Sequence, residues 1–356
     1  MTDRRACINA IGCAVPDQDV HVAFINWANR QVADERARGL FTRMAERSGI
    51  NHRWSVLPPV DAGGSPVDPG GFYADTMPST SKRMQLYHHL APPLALRAIE
   101  DLRAKAAIDG ITHLVVASCT GFVAPGIDQI IADALGLAGV ERTLVGFMGC
   151  YAAVAALRTA RHIVRSEPEA RVLVVTVELS SLHLQPEQQV ERLLMMLQFG
   201  DGAAAALVSA EDHGFAMAAP FAINLEASAE LIRWEIGDHG FVMHLSGEVP
   251  ARIQAALRDE GIRTKICGSA DGTSIENWAV HAGGRSILDA VQQGLDLEPD
   301  ALSVSRGVLA RNGNMSSATL MFILNDLLRQ ERGGNGVALA FGPGVAAEGF
   351  RFSRAG

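Results

Sequence analysis

The stretch RTLVGFMGCYAAVAALRTARHIVRSE, residues 142–167, predicts a strand followed directly by a helix. Residues 143–148 are apolar or strand-favouring, which is typical of a buried strand in a parallel sheet. The later part is rich in alanine, places apolar side chains at helical spacing and stops before Pro168. Gly149 and Cys150 lie at the junction, where the glycine permits a sharp turn of the backbone.

Two roles are open for a cysteine at such a junction. In the first turn of a helix, Cys150 would lie beside unpaired N–H groups and the positive end of the helix dipole. That environment lowers the pKa of a thiol and favours the reactive thiolate. The alternative is a small buried hydrophobic residue, which is the usual role of a free cysteine.

The composition of the 356-residue chain predicts a tightly packed α/β protein larger than one ordinary domain. With 48% hydrophobic and 20% charged residues, the chain does not resemble a disordered protein. The net charge of −8 argues against a general nucleic-acid-binding protein. Five scattered cysteines without a Cys-x-x-Cys pair argue against a zinc site. We expect a cytoplasmic protein, because neither a signal peptide nor an apolar run of about 18 residues is found.

Strand patterns and helix patterns alternate along the first half of the chain. Strands are predicted at 6–12, 111–121, 170–181 and 199–211, and helices at 21–50, 82–107, 126–137 and, after Pro186, within 183–198. The second half has the same character, with strands at 275–284 and 336–344, a helix at 285–295 and a long helix after the turn that begins at Arg311. This order predicts a layered mixed or parallel sheet.

Two further reactive side chains are predicted at junctions of this kind. His281 lies in the motif VHAGG at the end of a strand, and Asn314 lies in the turn that opens the last long helix. A thiol nucleophile needs a base or cationic partner, and N–H donors of imidazole or amide stabilise an oxyanion. Alternatively, His281 is a core histidine and Asn314 a helix cap. Their joint occurrence with Cys150 favours a site for nucleophilic catalysis.

Five motifs in order give the sequence its resemblance to the type III polyketide synthases, the chalcone synthase-like branch of the thiolase-fold enzymes. They are GFMGCYA, FGDGAAAALV, VHAGG, GNMSSA and AFGPG, and the similarity extends from the segment RMAERSGI to the end of the chain. The resemblance implies that Cys150 is the nucleophile and that His281 and Asn314 complete the catalytic set. It implies a thiolase-like fold of two related βαβα halves, residues 1–212 and 213–356, in five α-β-α-β-α layers.

The resemblance also implies the reaction. A homodimer would load an acyl-CoA starter on the cysteine, extend it repeatedly with malonyl-CoA, and cyclise the product to a pyrone, resorcinol or phloroglucinol-type ring. No cofactor, metal ion, nucleic acid or membrane span is implied. A single-round β-ketoacyl synthase of fatty-acid or secondary metabolism is the alternative within the same fold. The sequence does not predict the starter, the number of extensions, the mode of cyclisation or whether a carrier protein delivers the starter.

Several residues around the catalytic set take their roles from the same resemblance. Phe199 matches the aromatic gatekeeper, and Met243 matches a second gatekeeping position that is Phe in plant members. The positions that match the wall of the pocket are Cys119, Ser180, His183, Trp234 and Ser316, and those that match the CoA site are Arg43, Arg47, Gly283 and Gly284. Ala124 stands where plant enzymes place a Met that crosses the dimer interface. These departures place the pocket outside the plant chalcone type.

Overall fold

The computed structural model describes residues 5–60, 64–269, 272, 274–330 and 333–356. Within these residues, nine strands form one continuous mixed sheet, and two short two-stranded sheets accompany it. None of the helices described is long and apolar enough to cross a membrane.

The first half of the chain forms one end of the large sheet. Its strands are β1 (Cys7–Ala14), β2 (Gln18–Asp19), β3 (Trp54–Ser55), β4 (His113–Ser118), β5 (Glu141–Gly146), β6 (Val172–Leu179) and β7 (Asp201–Ser209). Its helices are α1 (His21–Gln31), α2 (Glu35–Glu46), α3 (Thr80–Arg103), α4 (Ile127–Ala134), α5 (Ala152–Ser166) and α6 (Val190–Met196). The strand order is β1-β7-β6-β4-β5, in which β4 is parallel to both neighbours and the remaining pairs are antiparallel.

The second half repeats this arrangement at the other end of the sheet. Its strands are β8 (Gly214–Asn224), β9 (Ile232–Gly237), β10 (Gly240–Leu245), β11 (Ile275–Val280), β12 (Asn335–Gly342) and β13 (Ala346–Ala355). Its helices are α7 (Val249–Leu257), α8 (Glu260–Cys267), α9 (Arg285–Gly294), α10 (Ser303–Asn312) and α11 (Ser317–Arg329). The order β8-β13-β12-β11 again has two antiparallel pairs followed by a parallel one, and antiparallel pairing of β1 with β8 joins the halves.

Helices α5 and α11 form the central layer, because both contact strands of the first and the second half. Successive residues of β4 show how the layers are built. Val115 and Ala117 face the core that includes α5, whereas Leu114 and Val116 face the core under α3 and α4. A strand covered on both sides needs apolar residues at consecutive positions, which explains its continuous apolar run.

Three predictions of secondary structure need correction. The strand after Arg142 is β5, but it is not buried: it lies at the edge of the sheet, pairs with β4, and exposes most of its side chains. The helix predicted after Pro186 is shorter than expected, since α6 begins only at Val190 and ends at Met196. The helix α3 runs without a break through Pro92 and Pro93, where a break or kink was expected.

Candidate active site

A single turn of 3-10 helix at Gly149–Tyr151 connects the segment after β5 to α5 and carries Cys150. Gly149 has a φ of 72°, and a Cβ atom at this position would lie 2.6 Å from Cδ of Pro343. Only glycine satisfies both conditions without strain. The predicted strand–turn–helix junction is therefore observed, with Cys150 just before α5.

Cys150, His281 and Asn314 line one buried cavity, although they are far apart in the sequence. Asn314 and Ser316 line this cavity beside Cys150, and both act to lower the pKa of its thiol. Nδ2 of Asn314 also donates to the carbonyl of Gly283, at 3.2 Å. The long helix α11 begins just after Asn314, so the turn before this helix brings the amide to the cysteine.

The backbone fixes these side chains from both halves of the molecule. The N–H of His281 donates to the carbonyl of Leu339 at 2.8 Å, which ties the end of β11 to β12. The N–H of Asn314 donates to the carbonyl of Gln198 at 2.7 Å, and its own carbonyl accepts from Gly200 at 3.0 Å. The FGDG segment and the GNMSSA turn are therefore held side by side. Phe199 lies between the two residues, Gln198 and Gly200, that bond to Asn314.

The imidazole of His281 is buried and neutral. Burial lowers the pKa of His281 to about 3. Neither ring nitrogen has a hydrogen-bond partner within the described part of the chain. One nitrogen of a neutral imidazole carries a proton and the other accepts one, so His281 offers both an acceptor and a donor to the cavity.

The thiol of Cys150 is also held in its neutral form. Burial raises the pKa of Cys150 to about 12, and hydrogen bonds from Ser316 and Asn314 lower it only in part. The expected lowering of this pKa by a helix N-terminus is therefore wrong. The reason is that desolvation of the thiolate outweighs the local dipoles. The resting site contains a thiol and a neutral imidazole.

A buried carboxylate that was not predicted as a site residue lies beside the catalytic cavity. Glu178 accepts hydrogen bonds from the N–H of Cys119 at 3.0 Å and the hydroxyl of Thr120 at 2.9 Å. Sγ of Cys119 lies 3.4 Å from both carboxylate oxygens and 3.1 Å from Oγ of Ser316. Burial raises the pKa of Glu178. The predicted pocket residues Cys119 and Ser316 therefore connect Glu178 to Cys150. A charged residue inside the apolar run VLVVTVEL was the signal for it.

A second cavity, of about 340 Å³, adjoins the catalytic one. Both cavities are lined by Ser180, Phe199, Trp234 and Met243. These four residues therefore form the boundary between the two spaces, which is the place expected for the two gatekeeping positions. Nε1 of Trp234 donates to the carbonyl of Cys119 at 3.1 Å and fixes the indole there.

His183 lines the larger cavity but has no free nitrogen. Nε2 lies 2.7 Å from the carbonyl oxygen of Thr120, and Nδ1 accepts from the N–H of Phe241 at 3.0 Å. The ring stacks on Phe241 with 4.3 Å between centroids. Burial lowers the pKa of His183 to about 3. The side chain is thus a neutral, fully bonded part of the wall.

The four predicted CoA residues lie in two segments: Arg43 and Arg47 at the end of α2, and the pair Gly283 and Gly284 just after His281. Gly283 lines the catalytic cavity, and Gly284 caps the N-terminus of α9. Nη1 of Arg285 donates to the carbonyl of Arg47 at 3.0 Å, which places the end of α2 beside this glycine pair. Arg43 and Arg47 are exposed, and neither lines the catalytic cavity.

Comparisons with known proteins agree over nearly the whole chain. The family model for chalcone and stilbene synthases matches residues 1–212 with its N-terminal domain and residues 220–354 with its C-terminal domain. The alpha-pyrone synthesis polyketide synthase-like protein Pks18 of Mycobacterium tuberculosis is 32% identical over 335 residues, which cover 90% of this chain and 83% of Pks18. The crystal structure of PKS-I from the brown alga Ectocarpus siliculosus superposes with a TM-score of 0.88 at 28% identity and covers 98% of both chains. CsyB complexed with CoA-SH shares the fold, with a TM-score of 0.82 at 21% identity over 98% of this chain and 100% of that one.

Proposed function

The chain belongs to the chalcone and stilbene synthase family and is a type III polyketide synthase, and we propose that Cys150, His281 and Asn314 are its catalytic residues. Its mixed α/β architecture matches that of type III polyketide synthases, so the predicted thiolase-like fold is confirmed. The observation that supports the proposed roles is the convergence of these three side chains on one buried cavity.

Loading of the starter begins with the neutral thiol of Cys150 and the neutral imidazole of His281. As the sulfur of Cys150 attacks the carbonyl carbon of an acyl-CoA, the thiol proton passes to the unprotonated ring nitrogen of His281. The tetrahedral intermediate then collapses, the bond from carbon to the CoA sulfur breaks, and the thiolate of CoA takes the proton from His281. The products are an acyl thioester on Cys150 and free CoA, and His281 is neutral again.

Extension uses hydrogen-bond donors of His281 and Asn314 to stabilise an enolate. Malonyl-CoA loses CO₂, and the electron pair of the broken bond becomes an enolate whose negative oxygen accepts hydrogen bonds from His281 and from Nδ2 of Asn314. Loss of one such donor typically costs about 10²–10³ in rate. The enolate carbon attacks the acyl carbonyl, the bond to Cys150 breaks, and the chain, now on CoA, is two carbons longer. Cys150 leaves as a thiolate, which either attacks the extended thioester for the next round or takes a proton from water.

The two cavities divide the remaining tasks. Phe199, Trp234 and Met243 separate the catalytic space from the larger one and exclude water from the thioester. The growing chain returns to Cys150 for further rounds and then cyclises to a pyrone, resorcinol or phloroglucinol-type product.

The exposed cations near the cavity suit the phosphates of CoA. Arg43 and Arg47 project from the end of α2, and Gly283 and Gly284 leave room for the pantetheine arm at the N-terminus of α9. We further propose that two copies form a homodimer and that residues 1–212 and 213–356 are the two related halves.

Mass spectrometry of the intact protein tests the assignment of the nucleophile. After mixing with an acyl-CoA, the wild-type protein and a Cys267→Ala control should both gain the mass of the acyl group. Cys150→Ala should gain none and should form no product with malonyl-CoA. If Cys150→Ala still condenses an acyl-CoA with malonyl-CoA, the proposed nucleophile is wrong.

A further inference from the structure

We infer that the starter is an aliphatic acyl group of medium or long chain whose tail lies in the larger cavity. This rests on the proposed function and specifies its substrate class. The sequence left aromatic, short and long starters open. The walls of the 340 Å³ cavity distinguish among them, because they combine apolar surface with polar groups that are already hydrogen-bonded within the protein.

Much of the apolar part of the wall comes from three separate elements. Helix α1 contributes Ala23 and Phe24, α6 contributes Met195 and Met196, and the β9–β10 hairpin contributes Phe241 and Val242. Flexible Met side chains adapt well to an alkyl chain. Each methylene of an acyl tail that leaves water for such a surface makes the binding free energy more favourable.

Most polar groups of the wall are already bonded within the protein. Oγ of Ser55 donates to Oγ of Ser181 at 2.8 Å, which in turn donates to Asp201, and Oη of Tyr73 donates to the carbonyl of Ser181 at 2.7 Å. Both nitrogens of His183 are bonded as described above. A hydroxylated ring buried here would therefore lose its hydrogen bonds to water without replacement.

Arg53 is a buried charged residue of the wall. Its guanidinium lies over the ring of Phe24, 4.6 Å from the centroid. Nε donates to His21 at 3.2 Å, and Nη1 donates to the carbonyls of Met196 at 3.2 Å and Phe199 at 2.8 Å. Nη2 and Oγ of the neighbouring Ser65 lack a partner, but both atoms are shielded from solvent. Neither offers a polar contact to an occupant of the cavity.

The position of the cavity suits an acyl tail. Because the boundary residues line both spaces, a thioester on Cys150 can place its carbonyl in the catalytic cavity and its tail beyond Phe199. At the outer rim, Arg192 is half exposed and pairs with Glu187 at 3.3 Å. The inner wall is therefore mostly apolar, with its polar groups largely bonded within the protein, and an exposed ion pair lies at the rim, as an alkyl chain requires.

The first test uses the wild-type protein with malonyl-CoA and saturated acyl-CoAs from acetyl to palmitoyl, together with a phenolic cinnamoyl-type CoA. We expect kcat/KM to rise by up to about fourfold per added methylene until the cavity is filled. The phenolic starter should fall below the best saturated chain. A flat series, or a preference for acetyl or for the phenolic starter, would overturn the inference. Failure of the proposed function would differ, because no starter would then give a condensation product.

The second test fills the cavity from a helix that does not touch the catalytic space. Ala23→Trp should reduce kcat/KM for the longest chains at least tenfold more than it reduces kcat/KM for acetyl-CoA. The matched control is Val22→Trp on the same helix, where the side chain is 65% exposed, and it should behave as wild type. The smaller Ala23→Leu change should shift the preference in the same direction with less risk to folding. Equal effects of the Ala23 variants on all chain lengths, or no effect, would contradict the inference.

Discussion

At the scale of single residues, burial decides how the nucleophile of this site is generated. The pKa of Cys150 is raised to about 12 and that of His281 is lowered to about 3, both by desolvation. A thiolate–imidazolium pair in the resting protein would require two charges in a space that disfavours each of them. We therefore expect the proton to move when the substrate carbonyl is attacked, and the developing oxyanion to meet donors that are already in place.

The rate of alkylation of Cys150 by iodoacetamide provides a test of this neutral resting state. Only the thiolate reacts, and its fraction grows tenfold per pH unit below the pKa. The rate should therefore increase about tenfold for each pH unit between pH 7 and 9, measured on the Cys150 peptide by mass spectrometry. A rate that stays constant over this range would indicate a preformed ion pair instead.

His183 should make the protein sensitive to acid. Its pKa of about 3 in the folded state lies below the value of about 6.5 for an unfolded chain. As the pH falls from 7 to 5, the unfolded state gains a proton that the folded state does not bind. The free energy of unfolding should thus fall by about 2 kcal/mol from this residue alone.

Urea unfolding of His183→Gln at both pH values measures this contribution. Gln retains a donor for the carbonyl of Thr120 but cannot titrate, so its loss of stability between pH 7 and 5 should be about 2 kcal/mol smaller than that of wild type. His89→Gln, at an exposed position on α3, serves as the control and should leave the pH dependence unchanged. An unaltered pH dependence in His183→Gln would show that the buried imidazole does not contribute.

At the scale of secondary-structure elements, the turn before α5 depends on a glycine for two separable reasons. Gly149 combines positive φ with close approach to Pro343, whereas Gly136 has a similar φ of 71° and no described atom within 4 Å of an added Cβ. Gly136→Ala should lose about 1–3 kcal/mol of unfolding free energy from backbone strain. Gly149→Ala should lose about 1–3 kcal/mol more from overpacking, and its acylation of Cys150 should be slower. Equal losses in the two variants would rule out the steric contribution.

The elements that could be predicted are those whose signal is local. The junction around Cys150 follows from a strand pattern, a glycine and an alanine-rich helix within about one supersecondary unit. Strand β8 gave no such signal, since Pro220 within a strand argues against a paired position. The structure accommodates it at a bulge, where Ala219 has a φ of 41° and the pairing of β8 with β13 shifts register.

The catalytic site, like the fold, could be predicted only as far as local patterns reach. The motif resemblance supplied roles for Cys150, His281 and Asn314, but no local pattern could place them in one cavity, because their convergence depends on the packing of both halves. The pKa values were also beyond sequence reasoning, since they follow from burial rather than from the helix N-terminus. Likewise, the hydrogen bonds that occupy His183 join segments that are distant in the chain.

At the scale of the whole molecule, the two halves share their interior. Strand β1 pairs with β8 across the junction, and α11 of the second half packs against β1, β7 and β6 of the first. Residues 1–212 expressed alone would expose the surfaces that α11 covers. The division of the chain into two domains at residue 212 stays a prediction. We expect the two halves to unfold in one transition, because their separation would expose a large apolar area.

The edge strand β5 is the surface on which we expect the second copy to pack. Its sequence is that of a buried strand, yet Leu144 is 47% exposed and Phe122 nearby is 43% exposed. An exposed edge with apolar side chains needs a cover, and a second copy of the same chain supplies one. We expect the wild-type protein to be dimeric and Leu144→Lys to be monomeric in size-exclusion chromatography with light scattering, because a lysine on an edge strand opposes pairing. Val22→Lys, which places the same charge on exposed α1, should remain dimeric; a Leu144→Lys protein that also stays dimeric would move the interface away from β5.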